Sequence, residues 1–312
     1  MDAHDKPMDV IVVGAGPAGL TAALYLARYH RSVLVLHDGK SRALRIPLTH
    51  NAPGFPDGVV GLDLVARMTA HAETYGARIE VAEVEAVSRQ DGHFVLSASD
   101  RRWRSRALIL ATGISLHQVD LPAKVHEAAI RAGVLRYCPI CDGYEATDRA
   151  IGVIGCTANG AAEALFLRQY SRNVTLMPLQ QSELTPEQHA QLQEAGIRVE
   201  QGALAQLTPG ETQMKVLLDG RDSPLAFDVV YPALGCTPRA ELARQLGIAL
   251  SLEGCTPALS PKATSVPGLF AAGDVVEGLD QLSVAMGHGA LAATSAHNQL
   301  RAQDRHTLQA RG

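Results

Sequence analysis

Cys138 and Cys141 are separated by Pro139 and Ile140, and Asp142 follows directly. Two thiols at this spacing can form and break a disulfide. Pro139 suits the first turn of a helix, whose N-terminal end favours thiolate over thiol. The pair therefore has the character of a disulfide-exchange site. Asp142 supplies a carboxyl able to carry the proton that such a transfer requires, while its other role would be that of an ordinary first-turn acid. The competing reading is half of a zinc site, but no second CxxC or paired histidine completes it, and the 12 histidines offer no ligand spacing. Cys156, Cys236 and Cys255 stand alone and read as small core residues.

A second chemistry lies near the N-terminus, where Asp9-Val10-Ile11-Val12-Val13 reads as a buried strand and runs into Gly14-Ala15-Gly16-Pro17-Ala18-Gly19. Gly14 permits a tight turn. Gly16 removes the Cβ that would block a pyrophosphate, and Gly19 lets helix and strand pack closely, so that the helix N-terminus faces the phosphates. A ribose-binding carboxylate belongs at the end of the next strand, Val33-Leu34-Val35-Leu36. His37 occupies the counted position and Asp38 the next, and Asp38 is the candidate.

These groups need elements to hold them. The glycine loop opens an apolar helix through about Tyr29, which with its two strands makes a βαβ unit. An offset of 141 residues carries Gly14 onto Gly155, Gly19 onto Gly160, Leu26 onto Leu167, Tyr29 onto Tyr170 and Val33 onto Val174, so the unit is repeated. Strands ending in glycine turns follow each copy, at Ala111-Thr112-Gly113 and Ala233-Leu234-Gly235. A further strand, Leu269-Phe270-Ala271-Ala272, ends at Gly273-Asp274, placing a carboxylate at a strand's C-terminal end, where doubly wound sheets bind ligands; an ordinary helix cap is the plainer alternative. A last helix is expected from about Gln281 to Leu300, its positive end suited to an anion, with His288 near that end.

The 312 residues are 46% hydrophobic and 19% charged, enough for a large core and too long for the commonest single domain. Disorder, collagen and long coiled coil are excluded. A net charge of −4 argues against a nucleic-acid partner, and Arg101-Arg102-Trp103-Arg104 reads as a solvated strand edge. The uncharged run from Val10 to Ala27 holds three glycines and a proline and describes strand, turn and helix, so no membrane span is expected. The N-terminal residues lack a secretion-signal layout, which makes the reducing cytoplasm the expected compartment.

Taken in order, Gly14 to Gly19, His50-Asn51-Ala52-Pro53-Gly54-Phe55-Pro56, Ala111-Thr112-Gly113, Cys138-Pro139-Ile140-Cys141-Asp142-Gly143 and Thr264 to Asp274 resemble the low-molecular-weight thioredoxin reductase family over nearly the whole chain. The resemblance implies two Rossmann-like α/β domains, the second inserted in the first: residues 1–115 and 245–312 binding FAD, and residues 116–244 forming a nicotinamide-type domain that carries the redox pair. It implies FAD held by Gly14, Gly16, Pro17, Ala18, Gly19, Asp38, Thr112, Gly113, Gly273 and Asp274, with Asn51 and Gln281 near the isoalloxazine and Val84 near the adenine. It also implies that Cys141 faces the flavin, that Cys138 attacks the substrate disulfide, that Asp142 is the acid, and that the chain works as a homodimer. The partner would be a thioredoxin-like protein or a small disulfide.

The match fails in the second unit. Thr157 stands where the second glycine of Gly155-Cys156-Thr157-Ala158-Asn159-Gly160 belongs, and Pro178-Leu179-Gln180 replaces the family's His-Arg-Arg for the 2′-phosphate. Neither Leu nor Gln provides arginine's bidentate contact. The expectation is a dithiol/disulfide oxidoreductase using FAD and a donor other than NADPH. The alternatives are an ordinary NADPH-dependent reductase, an oxygen-dependent oxidase of small dithiols and a non-catalytic flavin-binding or redox-sensing module; Asp142 leans towards reductase, because the related oxidases tend to carry His there.

Overall fold

The apolar run at the start forms β1 (Met8–Val13), and the glycine turn then opens α1 (Pro17–Arg28), which leads to β2 (Val33–His37). The computed structural model describes residues 7–256 and 264–306. After α2 (Gly61–Thr74) come β3 (Arg78–Val81), β4 (Ala86–Gln90), β5 (His93–Ala98) and β6 (Arg101–Leu110). A short β7 (Ile114–Leu116) and helices α3 (Ala123–Ala132) and α4 (Pro139–Asp142) precede the second βαβ unit. That unit comprises β8 (Ile151–Ile154), α5 (Ala158–Leu167) and β9 (Val174–Met177), followed by α6 (Pro186–Glu194) and β10 (Arg198–Val199). An antiparallel meander, β11 (Leu204–Pro209), β12 (Met214–Leu218) and β13 (Leu225–Phe227), runs into β14 (Val229–Pro232). The chain ends through β15 (Cys236–Pro238), α7 (Glu241–Gln245), β16 (Leu269–Ala271) and α8 (Leu282–Gln303).

The first sheet has the order β3-β2-β1-β6-β5-β4, and β16 returns to pair with β6 after the whole second sheet, β10-β9-β8-β14, has been completed. The fold is the two-unit Rossmann-type α/β architecture expected from the repeat. The two chain crossings between the sheets lie side by side, because β7 and β15 pair antiparallel with Ser115 opposite Thr237. Arg101, Arg102 and Arg104 are exposed on β6, as expected of a solvated strand end.

Small residues explain how the end of the chain reaches its start. Ala285, Ala292, Ala293 and Ala296 of α8 are buried with Ala18, Ala22 and Ala23 of α1 in one core cluster. A Cβ on Gly289 would stand 2.2 Å from the Ala18 carbonyl oxygen, so the two helix backbones approach as closely as only glycine allows. Side-chain volume is given up here so that both N-termini converge on one cavity. The expected start at Gln281 is found as the N-cap of α8.

Candidate active site

A cavity of about 600 Å³ runs from the first glycine loop to the Cys138–Cys141 pair, within the usual range for a cofactor site. Gly14, Gly16, Pro17 and Ala18 line one end. Gly14 has φ +111, and its Cβ would lie 2.2 Å from the Ala111 carbonyl oxygen; one on Gly19 would lie 1.9 Å from the Gly14 carbonyl oxygen. Gly19 therefore stands behind the cavity and sets helix against strand. Around Gly16, among the described residues, only Ser41 Oγ comes near, at 3.3 Å, leaving the cavity side open. Gly16 is the N-cap of α1 and no side chain caps that helix. Its first N–H groups therefore remain for an anion.

Asp38 lies at the cavity wall, where Arg239 Nη1 donates to Oδ2 at 3.0 Å and the Lys40 N–H to Oδ1 at 2.8 Å. Thr112 and Gly113 line the same wall, and both bond the backbone of Arg239. Asp274 receives Arg42 Nη1 at 3.3 Å; burial raises its carboxyl above the usual range, against the pull of Arg42. Neighbouring Asp280 is pushed up to about 6 by burial and by the charge of Asp274. Arg42, Arg239 and Arg45 thus bring three guanidinium groups to the cavity, and Arg45 Nε is buried there without a partner among the described residues. An uncapped helix end, fixed cations and an orphaned donor suit the phosphates and polar edges of a dinucleotide such as FAD.

At the other end, Cys138 is the N-cap of α4 and Pro139 its first residue, as the sequence implies. The two cysteines are disulfide-bonded with Cα atoms 5.3 Å apart. Gln281 Nε2 donates to both sulfurs at 3.5 Å, and its Oε1 accepts from Asn51 Nδ2 at 2.9 Å. Asn51 Oδ1 in turn accepts from Thr49 Oγ1 at 2.8 Å. A hydrogen-bonded line therefore joins the loop after β2, the start of α8 and the redox pair. Both sulfurs are equidistant from Gln281 Nε2, so this contact does not rank one above the other.

Asp142 also lines the cavity, with Arg136 Nη1 on Oδ2 at 2.7 Å and Tyr231 Oη on Oδ1 at 2.9 Å. Burial raises its carboxyl, against both of these donors. Arg136, Tyr231, Arg42 and Arg239 escaped the sequence reading. Only Tyr231 carried a signal, a hydroxyl inside the otherwise apolar Val229–Pro232 strand that had to find a partner.

Val84, just beyond β3, is half-buried against the core cluster of Ile11 and Leu34. One expectation needs correction. Cys236 is exposed and Cys255 half-buried, so only Cys156 is a core residue; β15 belongs to a two-stranded ribbon too narrow to bury both faces. His288 lies in α8 with Nδ1 buried and unpartnered among the described residues. Among the described residues no group of three or more His, Cys, Asp and Glu could hold a metal ion, and no helix is long and apolar enough to cross a membrane.

The second glycine loop is closed on itself. Gly155 keeps φ +121, and a Cβ on Gly160 would be 1.7 Å from the Gly155 carbonyl oxygen, so turn and close packing survive. Thr157, however, caps α5 with its own side chain, accepting from the Gly160 N–H at 3.3 Å. Glu183 N–H bonds the Cys156 carbonyl at 2.8 Å, folding the loop after β9 onto the turn. Leu179 and Gln180 are exposed in that loop.

The family model described as pyridine nucleotide-disulphide oxidoreductase matches residues 8–289. Thioredoxin reductase of Mycolicibacterium smegmatis is 31% identical over 307 residues, covering 95% of this chain and 97% of that protein. The crystal structure of HlmI superposes with a TM-score of 0.89 at 29% identity, covering 98% of this chain and 96% of its own. That of thioredoxin reductase from Streptococcus pyogenes MGAS5005 gives 0.87 at 24% identity, over 95% and 98% of the two chains, a likeness of fold.

Proposed function

Because the chain belongs to the pyridine nucleotide-disulphide oxidoreductase family, we propose that Cys138 and Cys141 pass electrons from bound FAD to the disulfide of a thioredoxin-like protein, and that a donor other than NADPH reduces the flavin. The chain is a thioredoxin reductase-like, FAD-dependent disulfide oxidoreductase. The observation that carries the proposal is Gln281, which stands at the N-terminus of α8 in the cofactor cavity and donates to both sulfurs at 3.5 Å. FAD, when bound and reduced, supplies two electrons. Breaking the Cys138–Cys141 bond consumes those electrons, and Asp142 is the group beside the pair able to hold a proton for the departing sulfur.

Within this proposal residues 1–115 and 245–312 hold FAD, and residues 116–244 present the dithiol. The glycine loop, Asp38, Thr112, Gly113 and Asp274 take the dinucleotide, while Asn51 and Gln281 orient its redox end. Cys141 faces the flavin and Cys138 meets the partner. A homodimer in the reducing cytoplasm completes the proposal.

The donor assignment rests on the self-capped second loop. Thr157 takes the N–H a phosphate would need, and the exposed Leu179 and Gln180 give no guanidinium contact. Charge-assisted hydrogen bonds contribute about 1.5–3 kcal/mol each, so losing even one weakens NADPH binding by tenfold or more. NADPH and NADH at micromolar concentration should leave the flavin oxidised under anaerobic conditions, whereas dithionite bleaches it. Replacing Thr157 by Gly and Leu179 and Gln180 by Arg should bring NADPH-driven bleaching into the micromolar range. Rapid stoichiometric bleaching of the unaltered protein by NADPH would show an ordinary NADPH-dependent reductase.

A further inference from the structure

We propose that Arg136 and Tyr231 are positioning residues that hold Asp142 as a carboxylate beside the redox disulfide and set the pH at which it takes up and releases a proton. The inference rests on the dithiol relay proposed above and goes further, since neither residue belongs to the redox motif.

The backbone places both donors at one point. Leu135 bridges Val230 in parallel register, and the Arg136 N–H bonds the Val230 carbonyl at 3.0 Å, so the stretch before the redox pair runs alongside β14. Adjacent residues of these stretches then meet Asp142 from two sides, Arg136 on Oδ2 and Tyr231 on Oδ1. Tyr231 is fully buried, and the Asp142 and Arg136 side chains are 15% and 21% exposed, which keeps water from replacing either contact freely.

The two donors differ in what they permit. A guanidinium has no acceptor, so Arg136 favours the ionised carboxylate alone. A phenol both donates and accepts. Tyr231 Oη also lies 3.2 Å from the Asp142 carbonyl oxygen. When Asp142 is protonated, the tyrosyl hydrogen can turn to that carbonyl while Oη accepts from the acid, so Tyr231 serves both protonation states. Burial pushes the Asp142 carboxyl up while Arg136 and Tyr231 pull it down; Glu145, across the first turn, pushes it up further and is itself paired with His50 Nδ1 at 2.9 Å. From α5 and the turn after it, the ring of Tyr170 closes over Gly143.

The test uses the FAD-loaded protein under anaerobic conditions with saturating dithiothreitol, so that transfer within the protein limits bleaching of the flavin. As the Cys138–Cys141 bond re-forms, two electrons and one proton go to FAD and the other thiol proton goes to Asp142. The rate therefore rises as pH passes the point where Asp142 ionises. Removing a donor to the carboxylate moves that rise to higher pH. Arg136→Gln should shift it by at least about one pH unit, since one pH unit corresponds to a contact of ordinary charge-assisted strength, and Tyr231→Phe should shift it the same way by less. Asp142→Asn should remove the rise. The infrared carboxyl stretch of protonated Asp142, identified by its loss in Asp142→Asn, should titrate at the same midpoint and move with it.

An unmoved or downward-moved rise in Arg136→Gln overturns the proposal, as does a rise that survives in Asp142→Asn. Should Arg136→Gln fail to retain flavin, Tyr231→Phe decides alone, and an unmoved rise there overturns it. Absence of any dithiol-driven bleaching in the unaltered protein ends the relay itself and this inference with it; bleaching with an unmoved rise ends this inference only.

Discussion

Cys138→Ser and Cys141→Ser will each lower reduction of a disulfide substrate by at least about a thousandfold, because the relay needs both sulfurs and removing one member of a catalytic unit loses nearly all that the unit provides. The two variants will differ in colour. If Cys141 faces the flavin, Cys138→Ser leaves a thiolate able to form a long-wavelength charge-transfer band with oxidised FAD, and Cys141→Ser does not. The fold should tolerate both changes, since neither cysteine belongs to a core cluster and α4 is held by its own backbone bonds, Cys141 N–H to the Cys138 carbonyl and Gly143 N–H to that of Pro139. Turnover at the unaltered rate in both would exclude the dithiol relay.

Gly16→Val will cost roughly ten- to a hundredfold in FAD affinity and yield a nearly colourless protein. Among the described residues a Cβ at this position meets only the Ser41 hydroxyl, the end of a short side chain, so the chain still folds, but the branches must occupy space the pyrophosphate needs, a clash of about 1–3 kcal/mol. The contrast with Gly14 is instructive. There φ is +111 and the Ala111 carbonyl lies 2.2 Å away, so substitution strains the backbone itself and reports on folding rather than on binding. Retention of stoichiometric FAD by Gly16→Val would remove the glycine loop from the cofactor site.

Much of this was legible because the chemistry is local. A glycine turn between strand and helix, a CxxC with its proline and the 141-residue offset each declare themselves within a dozen residues or by simple repetition. The same locality exposed the failure at Thr157, and the structure supplied the reason it matters, a side chain bonded back to the Gly160 N–H. What could not be read was assembled across the chain. Arg239 reaches Asp38 from 201 residues away and Arg42 reaches Asp274 from 232, and one arginine among 28 lysines and arginines carries no mark of its destination. The carboxylate of Asp142 was visible; the partners that govern its proton were not. Cys236 was misplaced for the opposite reason, since residue type and order along the chain do not reveal which side of a ribbon a residue will take.

Electron counting is the most direct test of the relay. Anaerobic dithionite titration of the FAD-loaded protein, followed by the flavin spectrum and by thiol alkylation with mass analysis, measures how many electrons each chain accepts and where they go. The relay requires four, two for the flavin and two for the Cys138–Cys141 disulfide, with both cysteines alkylated at the end and only two electrons accepted by Cys138→Ser. Uptake of two electrons by the unaltered protein, with the flavin fully reduced and the disulfide intact, would contradict it.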